Sequence, residues 1–387
     1  MKIGHVIQSG SLAEGGPTAS TFAMCNALGW AGCECAIVCQ KKDTEVQTGL
    51  DDQITIRLAH IGRNPFNRRE GIRTLREFIN EVNIVHLHGL WDPLPCAAAN
   101  IARRVGKPYI VSLHGMLLER SIAHHRLRKQ LFLAVAGNSV LRNATALHFT
   151  TQTEMEQADP LLPAEPERAV IPLTIDRSLF VDDKSANRWR ESFPLLPETW
   201  PRLLFLSRIH PVKNLPSLLG ALPQLVREFP GLHLVVAGGG EASYVRRMHE
   251  LAGMLLKEKR VIFVGPVSGA AKACLIRSST IMTIPSFHEN FGMAIAEGLA
   301  CGVPALVTPG LGIGEEILAE GAGFSCGEDE NSVSASLLGA LGNRERLELA
   351  GMNGRRWAQR ELEASVVAKK FLAVYESALA SGGGKPM

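Results

Sequence analysis

Short apolar runs recur along the chain, and segments of helical length and pattern lie between them. A first series reads "KIGHVI", "ECAIVC", "IVHLHG", "PYIVSLHG", "ALHFT" and "AVIPL"; a second reads "RLLFLSR", "LHLVVAG", "VIFVG", "TIMTIPS" and "PALVT". Helix-length segments occupy 18–29, 68–82, 216–229 and 244–256. Near-continuous apolar strands alternating with helices specify parallel sheets covered by helices on both faces. Between the two series, residues 182–201 exchange the strand pattern for charges, prolines and tryptophans. A chain of 387 residues also exceeds what one core organises. The pattern predicts an α/β protein of two doubly wound domains, 1–180 and 201–360, joined by a linker at 181–200. A final helix at about 361–379 is free to pack back on the first domain, and a disordered tail follows at 381–387. Ligands of such sheets gather at the C-terminal strand ends, here expected in a shared cleft.

Composition narrows the function. A net charge of +3 is too mild for a nucleic-acid-binding protein. No run reaches the ~18 apolar residues of a membrane span. The longest candidate, "LFLAVAGNSVLRN", is broken by Gly137, Asn138 and Arg142. The opening residues read as a strand rather than a signal peptide, so a cytoplasmic protein is expected. Of eight cysteines, Cys33, Cys35 and Cys39 share the strand-like "CECAIVC", and no CxxC pair exists. Buried thiols are expected rather than a metal or disulfide site.

Four segments at the ends of predicted strands carry candidate chemistry. In "SGSLAEGGPTAS", Gly10, Gly15 and Gly16 precede a helix whose N-terminus can attract phosphate. It is not a P-loop, since Pro17 stands where the lysine belongs; an ordinary strand-to-helix turn is the competing reading. In "VHLHGLWD" and "VSLHGML", His86 and His88 share one face of an extended chain, and His114 ends the next strand. These histidines are compatible with a zinc half-site, with a sugar- or phosphate-facing role, or, for His86, with a structural role. In "SRIHPVKN", Arg208 and Lys213 offer a planar fork and a mobile point charge, suited to a diphosphate; two solvated charges are the alternative.

The stretch "PSFHENFGMAIAEGLACGVP" holds two glutamates, Glu289 before a predicted helix and Glu297 inside it, in nearly uncharged surroundings. Buried carboxylates need partners. Helix geometry sets the two roughly 10 Å apart on different sectors. That is too far for the close carboxylate pair of a retaining glycosidase, though near an inverting pair's separation. An acid and a base would not stand one behind the other along one helix. Two hydroxyl-bearing rings of one extended ligand fit better.

Glu289-x7-Glu297 within "ENFGMAIAEGLACGVPALVT" resembles the signature of GT-B retaining glycosyltransferases, family 4 in particular. "LSRIHPVKN" resembles that family's S/GR…xxKG segment, with Asn214 in place of glycine; "EGGPTAS", "VHLHGLWDP" and "YIVSLHGML" resemble its glycine loop and acceptor-side strand ends. The resemblance implies the GT-B fold, two Rossmann-like domains facing a central cleft. It implies a UDP- or GDP-sugar donor held by the second domain. Glu297 would take the ribose hydroxyls and Glu289 those of the sugar, with Asn290, Phe291 and Gly292 offering backbone amides. Arg208 and Lys213 would neutralise the leaving diphosphate, so no metal or other cofactor is expected. Gly16 would close on that phosphate, and Gly239 and Gly240 in "VVAGGGEASY" would admit the nucleotide. His114 would lie near the reacting sugar, with His88 and Trp91 on the acceptor side.

The segment "PLTIDRSLF" departs from the family's P-N-G-[IV]-D, since Leu173 and Thr174 replace Asn-Gly. The acceptor is expected to be a saccharide or lipid-linked saccharide of polysaccharide or glycoconjugate synthesis, lipopolysaccharide included. In "LLERSIAHHRLRKQLFLAVAG", Arg120, Arg126, Arg128 and Lys129 mix with Leu127, Leu131 and Phe132. This is either a helix lying on an anionic membrane or a solvated surface helix. A glycosyl phosphorylase, a nucleotide-sugar epimerase and a non-catalytic nucleotide-sugar-binding subunit are the competing readings.

Overall fold

A computed structural model describes residues 1–11, 16–42, 50–61, 65–123, 125–180 and 189–381. Gly15, the linker residues 181–188 and the tail from 382 lie outside the described residues. The chain divides into two compact units, Met1–Thr174 with Glu363–Met387, and Ile175–Leu362. The second unit thus begins at Ile175, just after the Leu173–Thr174 departure and ahead of the boundary read at 180.

The first unit is built on a seven-stranded parallel sheet: β1 (Lys2–Ile7), β2 (Glu34–Cys39), β3 (Thr55–Leu58), β4 (Ile84–His88), β5 (Tyr109–Ser112), β6 (Ala146–Phe149) and β7 (Glu167–Val170). Its order is β3-β2-β1-β4-β5-β6-β7. β3 escapes the sequence pattern because "TIRL" is an edge strand without a buried run. β7 stops at Val170, short of the expected "AVIPL", where Pro172 has no N–H for the ladder. Among the helices are α1 (Gly16–Trp30), α2 (Pro65–Glu81) and α3 (Pro93–Arg104). The C-terminal helix, Ala364–Ser381, buries Val367, Phe371, Tyr375 and Ala378 with Phe22, Cys25 and Leu28 of α1 and Ile3, Cys35 and Ile37 of the sheet. The near four-residue spacing of those four positions makes one apolar stripe, which is why the helix docks there.

The second unit has a six-stranded parallel sheet: β8 (Arg202–Leu206), β9 (His233–Ala237), β10 (Val261–Gly265), β11 (Ile281–Thr283), β12 (Ala305–Val307) and β13 (Gly323–Ser325). The order is β10-β9-β8-β11-β12-β13. α4 (Leu215–Glu228), α5 (Ala242–Lys257), α6 (Gly269–Arg277) and α7 (Met293–Ala300) are among the helices that connect them. In both units the order reverses beside the first strand, which opens a crevice at the C-terminal strand ends.

Burial pushes the imidazoles of His86 and His88 well below the ordinary histidine range, and those of His148 and His233 down to about 4. The unfolded chain therefore binds more protons than the folded one between pH about 6.5 and 4, so stability rises with pH across that window. Denaturant midpoints should fall as pH drops from about 6.5 to 4, by up to about 1.4 kcal/mol per pH unit for each such histidine. A flat urea-stability profile there would contradict neutral burial.

Candidate functional site

In the second unit, the loops after β8, β9 and β11 carry Arg208, Lys213, Gly239 and Glu289 to Gly292, and Glu297 lies in the helix that follows the last of them. The β8 loop holds Arg208, exposed, and Lys213, half-buried in a tight turn at Pro211–Lys213. Asn214 follows with φ of 54°. Left-handed backbone favours glycine and is tolerated by asparagine, so the departure from the family's glycine preserves the turn. The backbone N–H of Phe287 donates to Val212 O at 2.9 Å, tying the β11 loop to the β8 loop. Across that tie, Lys213 Nζ lies 2.5 Å from Glu289 Oε1, which also accepts from Ser286 Oγ at 3.0 Å.

Glu289, Asn290, Phe291 and Gly292 lead directly into α7, whose first turn is entered through Gly292 at φ 97°. Glu297 sits inside α7 and is bonded by Lys272 Nζ of α6 at 2.6 Å. Burial pushes the Glu297 carboxyl up, and the Lys272 ammonium pulls it back down. The sequence reading missed Lys272, although it is the single charge between Arg260 and Arg277. A lone cation in an apolar helix signals a partner. A pocket beside Glu289 is lined by Ser286, Phe291, Gly292, Ile295 and Thr308. A larger concavity of about 600 Å³, lined by Phe324, Arg346 and Asn353, contains none of the candidate residues.

The glycines after β9 need a correction. A Cβ on Gly240 would stand 2.1 Å from Ile209 O, and one on Gly238 1.9 Å from Ser207 O. Those residues are glycine because the neighbouring β8 loop passes against them. Gly239 meets only Pro266 Cγ, at 3.3 Å.

In the first unit, Gly16, Trp91 and His114 follow β1, β4 and β5, which are neighbours in the sheet. Gly16 is exposed, opens α1 and has open space around it, whereas Gly10 pairs with Lys42 in a short parallel ladder. His114 stands at φ 48°, in the left-handed region that few residues other than glycine adopt and that recurs at functional sites. The buried carboxylate of Glu154 accepts the N–H of Gly115 at 2.5 Å and both the N–H and hydroxyl of Thr150 at 2.7 Å, which fixes the turn beyond His114. His88 Nδ1 lies 3.0 Å from His114 Nε2. Both nitrogens of His86 are engaged, with Tyr375 and Ser112 at 2.7 Å, as its structural reading requires. His86, His88 and His114 thus bond within the protein, and ring nitrogens of His5, His86 and His88 lie within 4.8 Å of one another.

The basic segment forms a helix, Arg126–Phe132, that continues through a wider turn at Leu133–Gly137 into Asn138–Arg142. Leu127, Leu131 and Val135 are 83%, 66% and 76% exposed. Lys129 instead turns inward: its ammonium lies 5.4 Å from the Trp91 ring centre and donates to Ser121 O.

Residues 187–357 match the family described as Glycosyl transferases group 1, and residues 15–174 match the Glycosyl transferase 4-like domain. The chain is 26% identical to a D-inositol 3-phosphate glycosyltransferase of Xylanimonas cellulosilytica, over 96% of this chain and 94% of that one. It is 34% identical to a phosphatidyl-myo-inositol mannosyltransferase of Mycobacterium tuberculosis, over 48% of this chain and 50% of that one. The structure of Anabaena Alr3699/HepE in complex with UDP and glucose superposes with a TM-score of 0.79, at 17% identity over 97% of this chain and 100% of that one.

Replacing Lys272 by Met should strand the Glu297 carboxylate in α7 and destabilise the second unit by about 2 kcal/mol, less than a fully buried pair would lose because both groups keep some solvent. Combining Lys272→Met with Glu297→Gln should recover part of that loss. Urea denaturation of the two single variants and the double variant measures the coupling.

Proposed function

This chain belongs to the GT-B glycosyltransferases of the group 1, family 4-like kind, and we propose that it transfers a sugar from a nucleoside diphosphate-sugar, without a metal and with retention of anomeric configuration. The carrying observation is a pair of lysine-held carboxylates at the C-terminal edge of one parallel sheet, Glu289 with Lys213 and Glu297 with Lys272. A diphosphate entering there meets cations already in place. Lys213 shifts from Glu289 toward the phosphates, and the freed Glu289 accepts the sugar's hydroxyls. Glu297, on the other side of the α7 N-terminus, accepts from the ribose diol. Arg208 joins Lys213 as negative charge develops on the departing diphosphate, which supplies the stabilisation a metal would otherwise give.

Glu297→Ala should weaken UDP or GDP binding at least tenfold, whereas Lys213→Ala should chiefly slow turnover. Titration calorimetry and steady-state rates separate the two effects, and unchanged nucleotide affinity in Glu297→Ala would remove the ribose assignment. Which donor binds follows from a thermal-shift screen of UDP-, GDP- and ADP-sugars, since a native-state ligand raises the midpoint. NMR of the first-formed product reports the anomeric configuration. Full activity after exhaustive chelation supports the metal-free route; activity restored only by added divalent cations opposes it.

The acceptor in this reading is a saccharide or lipid-linked saccharide, served by His114 and Trp91; the expected acceptor role of His88 is withdrawn, because its ring is buried and both nitrogens are bonded to His5 and His114. Leu127, Leu131 and Val135 form one exposed apolar stripe flanked by Arg126 and Arg128. Such a face suits an anionic lipid surface. Lys129 is left out of that face by its contact with Trp91. The protein should bind anionic vesicles at low salt and release at high salt, and Leu127→Ser with Leu131→Ser should abolish binding in a flotation assay. Equal binding by that double variant would reject the lipid-facing stripe.

A further inference from the structure

His114 sits in a turn that most side chains resist. Leu113 to Met116 close it, with the Met116 N–H donating to Leu113 O at 3.0 Å and both central residues at positive φ, His114 at 48° and Gly115 at 73°. Positive φ at both central positions defines the type I′ turn, in which glycine, asparagine and aspartate dominate. Gly115 adopts that backbone freely, while His114 adopts it against steric resistance. The turn's own hydrogen bond leaves the Gly115 N–H unused. That group is buried, so it needs an acceptor from elsewhere.

The acceptor is Glu154, buried in the helix Gln152–Ala158 that follows β6. Thr151 caps this helix, its side chain accepting from the Glu154 N–H at 3.0 Å. A glutamate three residues past such a cap ordinarily reaches back to the cap's own N–H. Here the carboxylate reaches one residue further back and across to the loop after the neighbouring strand, β5. Oε1 accepts from the Gly115 N–H at 2.5 Å, and Oε2 accepts from the N–H and the hydroxyl of Thr150, each at 2.7 Å. An N–H only donates, and one faces each oxygen, so both oxygens have to accept. Burial pushes the carboxyl up, and the bonds from Thr150 and Gly115 bring it back down. The turn held in this way also seats Met116, whose sulfur receives the Leu90 N–H at 3.2 Å beside Trp91.

We propose that Glu154 is a positioning residue for sugar transfer: its carboxylate ties the loops after β5 and β6 together and so holds the left-handed turn that presents His114 to the reacting sugar. This rests on the reading of His114 as sugar-facing. Glu154 itself touches no reacting group and acts only through the turn. A glutamine at this position would set its NH2 against one of the two N–H groups, and an aspartate would lack the reach to meet both loops. Either change frees His114 to leave the left-handed region, because nothing else accepts the Gly115 N–H among the described contacts.

The test is a double-mutant cycle on turnover, with urea denaturation run on each protein. Glu154→Gln should lower turnover about tenfold with little change in donor KM, because the proposed donor residues lie in the second unit. In a His114→Ala background the same change should cost about twofold or less, since the ring that Glu154 positions is gone. A merely structural role would cost the same factor in both backgrounds, and that additive result overturns the proposal. Glu154→Asp should show the same coupling to His114, and it carries the cycle if Glu154→Gln does not fold. Amide hydrogen exchange at Gly115 reads the tie directly: wild type should exchange about a hundredfold more slowly than an open amide, and Glu154→Asp should lose that protection. An unprotected Gly115 in wild type overturns the proposal whichever variants fold. Wild-type turnover in His114→Ala would instead remove the sugar-facing reading, while the Gly115 exchange would still decide whether Glu154 holds the turn.

Discussion

Each sheet reverses its strand order beside one central strand, β1 in the first unit and β8 in the second. A parallel sheet places all its strand ends on one edge, and the reversal sends adjacent connections to opposite faces, leaving a crevice that no helix fills. Everything of chemical interest follows from that constraint. Arg208, Lys213, Gly239 and Glu289 lie on three different loops, yet β8, β9 and β11 are neighbours, so the loops meet. His88 and His114 lie on β4 and just past β5, which are also neighbours.

The charges at the second crevice are held in pairs because their surroundings are apolar. Glu297 on α7 and Lys272 on α6 come from helices dominated by alanine, glycine and aliphatic residues. Either charge alone would be costly there, while together they remain partly solvated. Lys213 and Glu289 repeat the arrangement across two loops. A pair of this kind keeps a site compact and charged at once, and an anionic or polyhydroxyl ligand can exchange with one partner. In the first unit, buried histidines, a serine and a tyrosine are linked by hydrogen bonds, and one such chain fastens the C-terminal helix through Tyr375.

Local pattern marked most of the strands and the four helices named in advance, to within a few residues. It missed β3 and β13, which are edge strands. "TIRL" and "GFS" bury too little on each face to show a run, so neither periodicity nor composition announces them. The candidate donor residues were legible because loops after apolar strands are short and their polar residues stand out. Lys272 was not, since its partner Glu297 is 25 positions away and only the packing of α6 on α7 joins them. Glu154 and His5 were hidden for the same reason: each makes its decisive contact with a residue on another strand or loop. Gly240 was legible as a glycine but not for its cause, which is the carbonyl of Ile209.

The order of apolar runs by itself determined two parallel α/β units and the loops at their strand ends, and the sequence placed Glu289 and Glu297 eight positions apart across the start of one helix. These follow from local rules, because strand burial and helix periodicity are written in neighbouring residues. Tertiary structure alone decided which charge answers which, where the final helix docks, and which partners the buried histidines meet. Those are contacts between residues far apart in the chain, 25 positions for Lys272 with Glu297 and 289 for His86 with Tyr375. Only the packed core, by excluding water and fixing each ring nitrogen against a single partner, gives such contacts a defined geometry.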